Sequence, residues 1–96
     1  MMKPAQEDAF SALIRGRVQG VGFRYSALHE ARRLGLAGWV RNRSDGAVEV
    51  WVEGPAENQA AFRAWLDRGP PGARVASVRY ESRTPTGKYP NFSIKW

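Results

Sequence analysis

The 96-residue chain has no cysteine and one histidine, His29. The first absence removes disulfides, thiolate metal sites and a cysteine nucleophile together. The second leaves a histidine-rich zinc site without ligands, so neither a metal nor another cofactor is expected. Long apolar runs are missing too. Residues 1–8 (MMKPAQED) read as a flexible tail rather than a secretory signal, and no later stretch approaches membrane-spanning length. These absences lead to an expected soluble, cytoplasmic protein with no membrane partner. No internal repeat or low-complexity linker divides the remainder of the chain, so residues 9–96 are expected to form one small domain around a single core.

Hydrophobic content of 43% and charged content of 25% suit a chain that folds. Fifteen Lys and Arg against nine Asp and Glu give a formal net charge of +6, which favours an anionic partner. The basic residues are dispersed rather than blocked together. Nucleic acid, a small phosphorylated metabolite and simple solubility all fit that distribution.

Phe10, Ala12, Ile14, Gly16 and Val18 recur with a period of two and predict a first strand. From Phe23 the period becomes helical, with Ala27, Ala31 and Leu34 on one face and Gly35 as the stop. Two strand-like segments, 36–43 and 47–53, flank the turn Ser44-Asp45-Gly46. Pairing Arg43 with Ala47 sets Trp39 opposite Trp51 and Arg41 opposite Glu49 on one face, and puts Asn42 among the core valines on the other. Gly54-Pro55 opens a second helix bearing Phe62, Trp65 and Leu66, ended by Gly69. Val78 and Tyr80 mark a fourth strand, and Phe92, Ile94 and Trp96 a short last one. The fold class is therefore α+β: a ferredoxin-like β-α-β-β-α-β sandwich, with an antiparallel sheet, two helices on one face and an extra C-terminal strand. In that topology the first two strands run parallel with the third between them, so the loop after the first and Asn42 at the end of the second become neighbours.

That loop carries the sharpest signal, Gly16-Arg17-Val18-Gln19-Gly20-Val21-Gly22-Phe23-Arg24. Glycines allow successive N–H groups to face one concavity, a helix N-terminus adds partial positive charge, and Arg24 adds a full charge with forked donors. A phosphate-like anion fits such a cradle. The loop lacks the Lys-Ser/Thr pair of a nucleotide P-loop. Asn42 has an ordinary reading as a residue that starts a turn, and a functional one as an amide holding water beside the anion. Trp39 and Trp51 offer either cross-strand packing or a stacking platform for bases. His29 reads as a surface or packing residue, and Glu30, Glu49 and Glu53 as solvated or paired charges.

The loop segment and Gly38-Trp39-Val40-Arg41-Asn42-Arg43-Ser44-Asp45-Gly46 together resemble the two signatures of the acylphosphatase family. Glu53-Gly54-Pro55 and Tyr89-Pro90-Asn91-Phe92-Ser93-Ile94 extend the likeness over about residues 10–96. The resemblance implies metal-independent hydrolysis of the carboxyl–phosphate bond of acyl phosphates. Phosphate would be bound by Gln19, Gly20, Val21, Gly22, Phe23 and Arg24, and the attacking water positioned by Asn42. Inorganic phosphate or sulfate would compete, and the chain would act as a monomer. Gly22 stands where some members have an aromatic, and Arg43 where a small hydroxyl residue often follows the asparagine. The alternative from another class is a basic ferredoxin-like RNA- or DNA-binding module using Trp39 and Trp51.

Overall fold

A computed structural model describes residues 7–96 of the protein. The elements are β1 (Glu7–Arg17), α1 (Phe23–Arg33), β2 (Ala37–Asn42), β3 (Val48–Pro55), α2 (Ala56–Arg68), β4 (Arg74–Arg83) and β5 (Phe92–Ile94). They form one five-stranded sheet in the order β4-β1-β3-β2-β5. This is the expected ferredoxin-like β-α-β-β-α-β sandwich with its extra strand.

The hairpin register is the one obtained by counting outward from the turn: Trp39 faces Trp51, Arg41 faces Glu49, Val40 faces Val50 and Asn42 faces Val48. Two boundaries and one strand direction differ from expectation. Glu7 and Asp8 are not tail residues but open β1, paired with Pro55 and Gly54, while the expectation for residues 1–6 lies outside the described residues. β1 ends at Arg17, so Val18, expected in the strand, falls in the loop, while Gly16 and Arg17 stay in the strand past a register shift at Arg15/Gly16, as partners of β4. The sheet is also not wholly antiparallel, because β5 runs parallel to β2. The cause is topological. β4 ends beside the start of β1, at the end of the sheet where β2 also begins, so a loop crossing there delivers β5 in the direction of β2.

Phe10, Ala12 and Ile14 of β1, Val40 of β2 and Val48, Val50 and Val52 of β3 are buried against both helices. Ala27 and Ala31, four apart on α1, present small side chains to the sheet and let the helix lie close. Phe62 and Leu66 of α2 fill the other half. Each large side chain so buried contributes roughly 1.5–3 kcal/mol of transfer free energy. α1 stops where Gly35, at φ 67°, allows Leu36 N–H to donate to Ala31 O and Gly35 N–H to Arg32 O, a Schellman closure.

Candidate active site

β1 and β2 flank β3 and both run antiparallel to it, so the turn leaving β1 and the last residue of β2 lie at one end of the sheet. In that turn Gly20 and Gly22 take φ of 76° and 77°. A Cβ on either would meet nothing within 4 Å, so backbone conformation rather than crowding demands glycine. Gly22 is the N-cap of α1 and leaves the helix start uncapped: no side chain bonds there and no acidic residue occupies the first turn. Ser26 N–H donates to Gly22 O at 3.0 Å, so the N–H groups of Phe23, Arg24 and Tyr25 precede the first helical bond. Free donors and the positive end of the helix dipole thus meet at one place.

Asn42 reaches this place from the other side. It ends β2 on the face of the core valines. Its Oδ1 is the one buried side-chain polar atom without a hydrogen-bond partner among the described residues. Leaving such an atom unpaired costs about 1–3 kcal/mol, so native structures retain few of them. Asn42 lines a cavity of about 60 Å³ together with Val18, Gly20, Gly22, Phe23, Arg24 and Tyr25. One water centre needs ~10–15 Å³, so the cavity has room for a small polar guest. The Arg24 guanidinium is stacked over the ring of Trp96, with Cζ 4.5 Å from the ring centroid. Trp96 itself lies beyond the end of β5 and is 82% exposed, against the expectation that it extends the last strand. It also borders, with Arg41, Asn42, Arg43 and Ser44, a shallow concavity that meets the cavity at Asn42.

Gly20, Gly22, Phe23, Arg24 and Asn42 are therefore brought together as expected. Val21 contributes its backbone to the loop, but its side chain packs against the core. Gln19 differs most. Its side chain points to the β2–β3 hairpin, where Nε2 donates to Arg43 O at 2.8 Å and Ala47 O at 2.9 Å. Both amide hydrogens are used there, so the carboxamide is unavailable as a phosphate donor.

Other polar groups are engaged elsewhere. Glu53, expected to be solvated or paired, is only 7% exposed. Its Oε1 accepts from Thr86 N–H at 2.9 Å and Gly87 N–H at 3.0 Å, and its Oε2 from Trp51 Nε1 and Thr86 Oγ1, each at 2.7 Å. Burial pushes this carboxyl up, but the bonds from Trp51, Gly87 and Thr86 outweigh it and the net shift is downward. Asp45 in the hairpin turn is lowered to about 2, first by its bond from Arg43 and next by Ala47 N–H. Trp39 and Trp51 do not form a free stacking platform. Arg41 and Lys95 lie over the Trp39 ring and Arg83 over that of Trp51, while both indole N–H groups donate, to Tyr89 Oη and to Glu53. His29 is exposed on the rim of a larger groove, about 650 Å³, that also includes Trp65 and Pro70. Size alone favours that groove, but the uncapped helix start and the unpaired buried acceptor belong to the smaller cavity.

Comparison with known proteins bears on the whole described domain. A family model described as "Acylphosphatase" matches residues 10–94. The acylphosphatase of Azoarcus sp. is 56% identical over 73 residues, 76% of this chain and 74% of that protein. That of Methylococcus capsulatus is 49% identical over 82 residues, 85% of this chain and 89% of its own. Among solved structures, the acylphosphatase from Bacillus subtilis superposes with a TM-score of 0.89 at 37% identity, over 93% of this chain and 99% of that one.

Proposed function

This chain belongs to the acylphosphatase family and is an acyl phosphate hydrolase, and we propose that its reaction takes place in the cavity between the 19–24 loop and Asn42. The observation that carries this reading is the unpartnered, buried Oδ1 of Asn42, a residue that lines one cavity together with Gly22 at the uncapped helix start and Arg24.

In this reading the phosphoryl oxygens take the free N–H groups of the loop and of the first helical turn, with the Arg24 guanidinium as a forked, charged partner. Asn42 Oδ1 accepts a hydrogen bond from one water and holds it in line with the phosphorus–oxygen bond to the acyl group. Attack forms the new P–O bond as the bond to the acyl oxygen breaks. The carboxylate leaves with the electron pair, and the water's proton passes to phosphate oxygen. A carboxylate is a good leaving group and the transition state is loose, so positioning and charge stabilisation suffice without a strong protein base. Arg24 and the helix terminus supply the positive charge that a divalent cation brings to other phosphoryl-transfer sites.

Benzoyl phosphate hydrolysis by wild type, Arg24→Ala and Asn42→Ala in EDTA tests the reading. Rapid wild-type turnover that both variants lose supports it, while loss of wild-type turnover in EDTA removes the metal-independent mechanism. Inorganic phosphate and sulfate are expected to inhibit competitively. Each wall of the site comes from the same chain, which supports a working monomer, checked by sedimentation. No helix of the described residues is long and apolar enough to cross a membrane, and we place the protein in the cytoplasm.

A further inference from the structure

We propose that Gln19 is a positioning residue whose carboxamide is a strut setting the distance between the phosphate loop and Asn42. The inference rests on the role given to Asn42 above. Both partners of the Gln19 amide are carbonyl oxygens, so only the NH₂ group satisfies them, and both of its hydrogens are committed. The hairpin does not need them for its own closure. Arg43 N–H already donates to Ala47 O at 2.8 Å and Gly46 N–H to Arg43 O at 3.2 Å, so Gln19 occupies the remaining lone pairs. What it adds is a link between segments 24 and 28 residues apart.

The sheet leaves a gap where that link falls. Pairing of β1 with β3 runs only as far as Ile14 opposite Val48, and residues 15–17 continue with β4 alone. Beyond Ile14, then, the chain leading into the phosphate loop has no ladder to the hairpin. The Arg15–Asp45 ion pair crosses the same gap at 3.3 Å, but it is exposed and contributes little. Gln19 precedes Gly20, on one wall of the cavity, and its acceptor Arg43 follows Asn42, on the other. Asn42 Oδ1 has no partner to orient it, so its aim depends on where the end of β2 is held relative to the loop.

The decisive experiment is a double-mutant cycle on benzoyl phosphate hydrolysis. Gln19→Met, which keeps the shape and removes the donors, is measured with and without Asn42→Ala, alongside the inhibition constant of inorganic phosphate and the melting temperature. A strut predicts a kcat lower by about 10–100-fold, because small misplacements of reacting groups are costly. The phosphate inhibition constant should stay within about threefold of wild type, since the loop donors and Arg24 are untouched. The double variant should be no slower than Asn42→Ala alone. If Gln19→Met does not fold, Gln19→Asn, which retains the amide one methylene short, is expected to give the same pattern. Weakened phosphate inhibition in step with lost turnover would make Gln19 a direct ligand and overturn the proposal, as would additive losses in the double variant or an unchanged kcat. Wild-type turnover by Asn42→Ala would overturn the role of Asn42 and the strut with it, whereas an inert Gln19 substitution beside a crippled Asn42→Ala sinks the strut alone.

Discussion

Glu53 and Asn42 each hold side-chain oxygen out of water, on opposite faces of one sheet, and they are treated in opposite ways. Glu53, on the outer face, has four donors on its two oxygens and thereby holds the crossing segment around Thr86 and Gly87. Asn42, on the helix face, keeps an oxygen with none. A saturated buried group has completed its bonds on folding. An unsaturated one retains that capacity for a guest, at a cost in stability borne by the rest of the fold. The contrast separates a residue that organises the scaffold from the one proposed above to meet the substrate.

Substitutions sharpen the contrast in descending order of effect. Arg24→Ala should lower turnover by at least ~10³ and weaken phosphate inhibition, because it removes a charged contact to the transition state. Asn42→Ala should lower kcat by roughly 10²–10³ with phosphate inhibition unchanged. Its melting temperature should equal or exceed that of wild type, since the lost oxygen had no partner. A marked drop in melting temperature would break the comparison by making Asn42 structural. Glu53→Gln should do the reverse, costing about 1–3 kcal/mol in denaturant unfolding with kcat essentially unchanged, because an amide NH₂ cannot accept from the donors that face it. Acid provides the same test without a mutation. The Glu53 carboxyl is lowered from its usual 4.5 in the folded state, so the unfolded chain takes up the proton first. Its contribution is full above that usual value and is lost as pH falls through the folded one. Melting curves of wild type should therefore decline more steeply on acidification than those of Glu53→Gln. Smallest is Trp96→Ala, which removes an exposed cation–π stack from Arg24. At ~0.5–1 kcal/mol it should weaken phosphate inhibition by about two- to fivefold, with Trp96→Phe recovering most of the loss.

The features legible in the sequence are those governed by periodicity and counting. The register of Trp39 against Trp51 follows from a three-residue turn, and the meeting of Asn42 with the glycine loop follows from strand order alone. Gln19 and Glu53 escape such reasoning for one shared cause. Each is a polar side chain with most of its partners far away in the chain, on a hairpin neck for Gln19 and on an irregular crossing segment for Glu53. No local spacing indicates which carbonyls or N–H groups tertiary folding will place within 3 Å. Gln19 lies inside the loop motif, and nothing in the motif indicates that its side chain turns to the hairpin. The parallel β5 is hidden similarly, because its direction is set by the end of the sheet at which the chain finishes crossing.

That three-residue β5 has a bearing on solubility. Without it, β2 would be the outermost strand, and its unpaired backbone groups beside the active site would offer a template for another chain. β5 covers that edge over Gly38–Val40, and Lys95 N–H continues the cover by donating to Val40 O at 2.8 Å. Arg32 of α1 in turn occupies Phe92 O through Nε at 3.0 Å, so the new edge is both short and partly blocked. The opposite edge, β4, is ten residues long and guarded differently, by Arg79, Glu81 and Arg83 alternating along exposed positions. The strand that presents Asn42 is thus kept from intermolecular pairing by a strand too brief to start an aggregate of its own.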